Sequence, residues 1–222
     1  MENAVKTENK TLTDRARVLF QGFARLGAGF LLKLGLRPNT VTVAGLAGHF
    51  AAGYLVAIGQ LTWGGILLLI MAPLDFLDGT MARMRGESSR FGAFVDSTTD
   101  RYSEFVIMGA LCYYFVSIGN WMGAALSYLS IVGSIMVSYT RARGEGLGFD
   151  VKVGMLSRME RYIILIPGIL FHIPIVAVWL IAIFANFTAL QRIFYVRRQA
   201  YTEMQTQSPV ENPVKNNSDP RS

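Results

Sequence analysis

Long apolar segments separated by very short turns constrain this chain more than any other feature. A window of about 20 residues, the length that crosses the hydrocarbon core of a bilayer, finds six candidate membrane spans. They run approximately from Thr40 to Ile58, Trp63 to Arg83, Phe94 to Ser117, Trp121 to Tyr139, Arg161 to Phe171 with some preceding residues, and Pro174 to Tyr195. With 52% hydrophobic and only 16% charged residues among 222, the chain is too apolar for an ordinary soluble domain. The sequence predicts an all-α integral membrane protein with six transmembrane helices.

The charges of the connecting segments predict which helix ends face the cytoplasm. Three turns, at 59–62, 117–120 and 172–174, contain no Lys, Arg, Asp or Glu, whereas the other connections carry arginines and lysines. Basic loops stay on the cytoplasmic side of a membrane. We therefore expect both termini and the active site to be cytoplasmic, in a protein of the cell (plasma) membrane.

The segments outside the apolar core predict three further regions. Residues 12–36 place arginines and a lysine among apolar residues at three and four spacing, which favours an amphipathic juxtamembrane helix lying against anionic headgroups. A plain solvated helix is the alternative. We expect residues 1–11 to be a flexible N-terminus, 37–200 to form the six-helix transmembrane catalytic domain, and the polar residues 201–222 to be a disordered C-terminal tail.

Four aspartates lie at or inside the edges of two apolar segments. Asp75 and Asp78 are three residues apart near the end of the second segment, and Asp96 and Asp100 are four apart near the start of the third. Each spacing puts both carboxylates on one face of a helix. The two faces meet if the 12-residue connection from Met84 to Val95 is a short antiparallel turn. Because a carboxylate in hydrocarbon is costly, a functional site is expected here.

Four converging carboxylates predict bound cations, since they repel one another and cannot all stay ionised alone. Oxygen ligands in this number suit Mg²⁺, Mn²⁺ or Ca²⁺, whereas zinc normally takes His or Cys. Gly79 and Gly92 let a backbone or a ligand approach closely, and Arg83 can bind a phosphate through two hydrogen bonds. Carboxylates, cations and arginine together indicate a phosphoryl-transfer site.

The same stretch follows one fixed pattern, D-x-x-D-G-x-x-A-R-x8-G-x-x-x-D-x-x-x-D. The positions that match are Asp75, Asp78, Gly79, Ala82, Arg83, Gly92, Asp96 and Asp100. In this respect the chain resembles the CDP-alcohol phosphatidyltransferases, whose signature this is. A second segment of that family, P-N-x-x-T, recurs as Pro38 to Thr42 before the first span.

The resemblance implies a six-helix membrane enzyme, usually a homodimer, that uses CDP-diacylglycerol. Its aspartates, here Asp75, Asp78, Asp96 and Asp100, would hold two Mg²⁺ ions, with Mn²⁺ as a substitute, that grip the diphosphate of the lipid. Asp100 would also be the general base. The residues expected to bind the CDP-lipid are Asn39, Thr40, Val41, Thr42, Gly79, Ala82, Arg83 and Ser89.

Two further segments predict the acceptor alcohol. Residues 138–162 and 190–198 resemble parts of phosphatidylinositol phosphate synthases, where S-Y-x-K-A-R, E-R-P-E-R and Q-R runs bind an acceptor phosphate. The corresponding residues are Arg141, Arg161 and Arg192, although Arg141 stands for lysine, Ser157 for glutamate and Met159 for proline. The implied acceptor is a small phosphorylated alcohol, inositol phosphate. Alternatively, these arginines only follow the positive-inside rule.

Other functions remain open at this point. A phosphatidylglycerophosphate synthase would use glycerol 3-phosphate, which also carries a phosphate. A divalent-cation transporter could use intramembrane carboxylates, but its acids are expected near the bilayer midplane. A catalytically inactive membrane scaffold would not need Asp100 and Arg83. The expected partners are CDP-diacylglycerol, the acceptor alcohol, the lipid bilayer and a second copy of the chain, with no nucleic acid.

Overall fold

The structure, a computed structural model, describes residues 12–87 and 89–207. Within these ranges the chain forms α-helices and no β-strand. The helices are α1 (Leu12–Lys33), α2 (Pro38–Ala57), α3 (Leu61–Met84), α4 (Arg90–Ser117), α5 (Trp121–Gly146), α6 (Arg158–Leu170) and α7 (Pro174–Gln207). The all-helical class is confirmed. The predicted flexible N-terminus at 1–11 lies outside the described residues.

Two helix boundaries differ from the prediction. Helix α4 begins at Arg90 because Ser89 caps it, with the Ser89 Oγ accepting a hydrogen bond from Gly92 N at 2.9 Å. The connection between α3 and α4 therefore spans only residues 85–89, not Met84 to Val95. At the other end, α7 continues to Gln207, so the predicted disordered tail is helical over 201–207; its remainder lies outside the described residues.

Among the described helices, four are long and apolar enough to cross a membrane: α2, α3, α5 and α7 from Pro174 to Gln205. Helix α4 has Asp96, Asp100 and Glu104 within its first 15 residues. Helix α6 has 13 residues, a length of about 20 Å, which is less than a hydrocarbon core of about 30 Å. Length and composition thus support four of the six predicted spans.

The helices pack around an apolar core and leave an apolar outer surface. Helix α5 packs against α7 and α4, α2 against α3 and α4, and α6 against α3 and α7. Close approach of α5 and α7 requires Gly133, because a Cβ there would lie 3.0 Å from the backbone nitrogen of Asn186. Outward-facing Phe50, Ile70 and Phe187 are each more than half exposed. Such a surface suits contact with lipid.

Helix α1 packs onto the bundle beside the aspartate-bearing end of α3. Ala28 of α1, Val41 of α2 and Met81 of α3 are buried together in a second apolar cluster. Leu26 and Phe30 of α1 are exposed, at 76% and 63%. This arrangement places α1 next to the segment that carries the motif.

Candidate active site

The aspartates of α3 and α4 gather where α3 ends and α4 begins. The five-residue connection at 85–89 turns the chain back on itself, so that both pairs lie at the same end of the bundle. Their carboxylates are close enough that Asp75 acts electrostatically on Asp78, Asp96 and Asp100. The structure thus brings together the four predicted metal ligands.

Asp78 joins the aspartate motif to the start of α2. It is only 4% exposed. Thr42 Oγ1 donates to Asp78 Oδ2 over 2.5 Å, and Gly79 N donates to Asp78 Oδ1 over 2.5 Å. Thr42 belongs to the P-N-x-x-T segment, so the two segments that carry the family resemblance are in direct contact.

Asp75 packs closely against α2. A Cβ at Gly45 would lie 2.8 Å from Asp75 Oδ1, so a side chain at this position would displace the carboxylate. His49, one turn further along α2, places its Nε2 3.9 Å from Asp75 Oδ2 and its Nδ1 2.8 Å from Gly45 O. Within the described part of the chain, His49 Nε2 is buried without a hydrogen-bond partner.

A single guanidinium bridges two of the aspartates. Arg158, the first residue of α6, donates from Nη2 to Asp75 Oδ2 and pairs through Nη1 with Asp100 Oδ1. Its Cζ lies 5.4 Å from the centre of the Tyr162 ring, and the side chain is 16% exposed. Helix α6 is thereby connected to α3 and α4 at the centre of the site.

A cavity of about 710 Å³ opens beside Asp78 and Asp96. The predicted CDP-lipid residues in its wall are Asn39, Thr42, Gly79, Ala82, Arg83 and Ser89. Arg37 and Arg85, which the sequence reasoning did not single out, add two further positive charges to the wall. The wall also contains three acids, Asp78, Glu87 and Asp96, so it offers arginine donors for a phosphate beside carboxylates.

Two residues of the predicted CDP-lipid set do not line this cavity. Val41 is 5% exposed and packs against Ala28 and Met81. Thr40 is exposed but lies outside the cavity wall. Successive residues at the start of α2 point in different directions, so only part of the P-N-x-x-T segment faces the cavity.

Comparison with known sequences decides the family. The sequence model of the CDP-alcohol phosphatidyltransferases matches residues 36–191, from just before α2 into α7. The chain belongs to this family. It is therefore an enzyme, a CDP-alcohol phosphatidyltransferase, and not the transporter or the scaffold considered above.

Named relatives of this phosphatidyltransferase include enzymes for inositol phospholipids. A phosphatidylinositol phosphate synthase of Streptomyces avermitilis is 36% identical over 215 residues, covering 89% of this chain and 87% of that protein. An archaetidylinositol phosphate synthase of Pyrococcus horikoshii is 35% identical over 170 residues, covering 76% of this chain and 88% of that protein.

Solved structures share the fold. The phosphatidylinositol phosphate synthase of Mycobacterium tuberculosis with CDP-DAG bound superposes with a TM-score of 0.72 at 30% identity, over 78% of this chain and 92% of that one. The same enzyme in complex with manganese and citrate also gives a TM-score of 0.72 at 30% identity, over 78% of this chain and 88% of that one.

The three arginines predicted for the acceptor lie near one another but have different partners. The positive charges of Arg141 and Arg161 both act on Arg192. Exposed Arg141 pairs through Nε with Glu145 Oε1 at 2.8 Å. Arg192 is buried and donates to the carbonyls of Val153, at 2.8 Å, and Val137.

Arg161 differs from the other two because a carboxylate already binds it. Its Nη2 lies 2.8 Å from Glu104 Oε1 and 3.1 Å from Glu104 Oε2, and its Nη1 donates to Leu156 O. Arg161 and Glu104 are 2% and 5% exposed. The pair connects α6 to α4 inside the bundle, and Arg161 does not face the open cavity.

The chemistry of the four motif aspartates suits a divalent cation, since their carboxylates supply hard oxygen ligands. Within residues 12–87 and 89–207, however, no three acidic, histidine or cysteine side chains surround one ion position. The Arg158 guanidinium lies between two of these carboxylates and pairs with both Asp75 and Asp100.

Besides Arg37 and Arg85, the sequence reasoning missed two charged residues of the site, Glu104 and Arg158. Glu104 follows Asp100 by four residues, the same spacing that relates Asp96 to Asp100, so the acidic face of α4 could have been extended by one turn. Arg158 lies three residues before Arg161 and therefore shares its helical face. Neither signal shows which acid each arginine pairs with.

Proposed function

We propose that this enzyme transfers the phosphatidyl group of CDP-diacylglycerol to inositol phosphate, releasing CMP, in phospholipid biosynthesis. The observation that carries the proposal is the gathering of the motif aspartates beside a cavity whose wall contains Arg83 and the start of α2. The names of the Streptomyces and mycobacterial relatives support the choice of lipid and acceptor.

The cavity is the proposed site of the CDP moiety. Asn39 and Thr42 supply polar groups, and Arg83 can donate to a phosphate. Gly79 has no side chain, so a ligand can approach the backbone closely there. Arg37 adds a positive charge at the same wall, where Arg85 is paired with Glu87. The acyl chains would remain in the membrane while the head group reacts at its cytoplasmic surface.

The four aspartates would hold two divalent ions, Mg²⁺ with Mn²⁺ as a substitute. When bound, such ions neutralise charge on the diphosphate and stabilise CMP as it leaves. The manganese complex of the mycobacterial relative supports the use of a divalent ion. Thr42 and Gly79 hold the Asp78 carboxylate in place through its two oxygens.

Asp100 is the proposed general base. It accepts the proton of the acceptor hydroxyl as that oxygen bonds to the phosphorus attached to diacylglycerol. The bond from this phosphorus to the oxygen bridging the two phosphates breaks, and the bridging oxygen leaves with CMP. Asp100 is 17% exposed at its side chain, so a substrate group can reach it.

Arg141, Arg161 and Arg192 are the proposed source of positive charge for the acceptor phosphate. The positive charges of Arg141 and Arg161 both act on Arg192, which supports a common role. Arg161, held by Glu104, would contribute through its charge, whereas Arg192 and Arg141 could exchange a carbonyl or a surface carboxylate for a phosphate oxygen.

The proposed setting is a homodimer in the cell (plasma) membrane with six spans. The two additional spans would be α4 and α6, with α1 lying at the interface as a juxtamembrane helix and both termini in the cytoplasm. The three uncharged turns support this orientation. The homodimer is proposed from the family resemblance.

An acceptor panel tests the proposed function. Purified enzyme is incubated with CDP-diacylglycerol and Mg²⁺ and, in turn, with inositol phosphate, glycerol 3-phosphate, serine or free inositol, and CMP release is followed. We expect efficient release only with inositol phosphate. Preference for glycerol 3-phosphate would indicate a phosphatidylglycerophosphate synthase, and efficient use of free inositol would contradict a cationic acceptor site, since buried arginines would lack an anion.

A further inference from the structure

The aspartate cluster already contains a cation that belongs to the protein. Arg158 donates to one carboxylate from α3 and pairs with one from α4. A divalent ion held by the motif aspartates would draw on the same carboxylates. The guanidinium and an ion would therefore compete for the same oxygens of Asp75 and Asp100.

The neighbouring arginine shows that this contact is not a general feature of α6. Arg161, three residues later, donates three hydrogen bonds to a different acid, Glu104. In the described structure, none of the motif aspartates contacts Arg161. Among the described residues, the acids that pair with Arg158 are the predicted metal ligands Asp75 and Asp100. Its Nε is buried without a hydrogen-bond partner among the described residues.

The position of Arg158 allows its side chain to leave the cluster. It is the first residue of α6, directly after the connection at 147–157. That connection contains two glycines with positive φ, Gly148 at 91° and Gly154 at 137°. A long side chain at the first turn of a helix can change rotamer without disturbing the helix that follows.

We propose that Arg158 is a displaceable counter-cation of the metal site: it bridges Asp75 and Asp100 until a divalent ion takes these carboxylates. The inference rests on the proposed function only in treating the two aspartates as metal ligands. It explains how part of the negative charge of the acidic cluster is compensated without ions, since uncompensated buried carboxylates are costly. The affinity for metal then depends on how much more strongly the two carboxylates bind the ion than they bind the guanidinium.

Metal binding by variants tests the proposal without using activity. Mn²⁺ binding is measured by isothermal titration calorimetry on the full chain in detergent, for wild type and Arg158→Gln. Because the variant no longer has a competing cation, we expect its dissociation constant for Mn²⁺ to fall about tenfold or more, the scale of one charge-assisted hydrogen bond.

Arg101→Gln is the matched control. Arg101 lies 3.8 Å from Asp100 Oδ2 but is 39% exposed and bridges no second aspartate. Removing it deletes a positive charge near the cluster without removing the bridge. Its effect on the Mn²⁺ dissociation constant is expected to be about threefold or less, as for a solvent-exposed pair.

Chemical labelling of the wild-type chain supplies a second test that does not depend on a variant folding. Phenylglyoxal modifies accessible arginines, and mass spectrometry quantifies each site. Adding Mn²⁺ should increase modification of Arg158 several-fold, while Arg161, bound to Glu104, should stay protected.

The outcomes separate this inference from the proposed function. Equal or weaker Mn²⁺ binding by Arg158→Gln, or Arg158 labelling that is unchanged or reduced by Mn²⁺, would overturn the displacement of Arg158 and leave the transferase assignment intact. If wild-type protein bound no Mn²⁺ at all, the proposed metal use would be wrong and this inference with it.

Discussion

The aspartates of the cluster have different neighbours, which indicates different roles for them. Asp78 receives hydrogen bonds from Thr42 and Gly79 and lines the cavity. Asp100 lies outside the cavity wall and pairs with Arg158. The first environment suits a carboxylate held in a fixed position, and the second a carboxylate that exchanges partners.

Replacing each of these two aspartates by asparagine should separate binding from proton transfer. Asp100→Asn removes the proton acceptor, so kcat should fall by about a hundredfold or more, with a smaller effect on CDP-diacylglycerol affinity than Asp78→Asn. The measurements are CMP release and binding of the CDP-lipid to purified variants. Turnover of Asp100→Asn near the wild-type rate would remove Asp100 from the role of base.

Gly45 supports the site through the absence of a side chain. Gly45→Ala would place a methyl group 2.8 Å from Asp75 Oδ1, and the displaced carboxylate should lower kcat/KM by on the order of tenfold to a hundredfold. Gly109→Ala is the control, because a Cβ at Gly109 meets no atom within 4 Å. Equal kinetics for the two variants would show that Asp75 tolerates displacement.

At the scale of elements, α4 and α6 are joined by a buried ion pair. Glu104→Gln leaves Arg161 buried without its counter-charge, which we expect to destabilise the fold by about 3–5 kcal/mol. Glu145→Gln removes an exposed pair with Arg141 and should cost about 1 kcal/mol or less. Thermal unfolding in detergent compares them, and equal Tm values would mean that the buried pair does not stabilise the packing of α4 and α6.

Helix α7 holds the connection between α5 and α6 in place. Thr188 Oγ1 accepts from Leu156 N, Arg192 donates to Val153 O, and the Gln199 amide exchanges two hydrogen bonds with the backbone of Asp150. This connection leads directly into Arg158. A residue of α7 can thus affect the site either through its charge or by positioning the connection.

Paired variants of α7 separate these two effects. Arg192→Ala should raise the KM for inositol phosphate about tenfold or more, the scale of a hydrogen bond to a charged group, and leave the KM for CDP-diacylglycerol nearly unchanged. Gln199→Ala loosens the same connection without removing a charge, so its acceptor KM should change little. If both variants raise the acceptor KM equally, Arg192 acts by holding the connection.

The helices and the motif were predictable from local patterns, whereas the pairs between residues far apart in the sequence were not. Helical spacing places Asp75 with Asp78, and apolar length predicts α2, α3, α5 and α7. The Arg161–Glu104 pair joins residues 57 positions apart, and its formation depends on how α4 and α6 pack. For that reason the sequence predicts an acceptor role for Arg161 and does not indicate Arg158.

At the scale of the whole molecule, polar groups concentrate at one end of an otherwise apolar bundle. The aspartates, Arg158 and the Glu104–Arg161 pair lie towards one end of the bundle, the end that the loop charges predict to be cytoplasmic, and the larger core cluster is apolar. The charges of α4 lower its hydropathy and α6 has only 13 residues, so length and composition support four spans and not six. The charges that lower the hydropathy of α4 are those of the active site.

The most direct test of the central claim is the metal dependence of CMP release from CDP-diacylglycerol with inositol phosphate. Four gathered aspartates require cations to act on a diphosphate, so treatment with chelator should abolish release, and Mg²⁺ or Mn²⁺ added afterwards should restore it. Undiminished CMP release in excess chelator would contradict a metal-dependent phosphatidyl transfer at these aspartates.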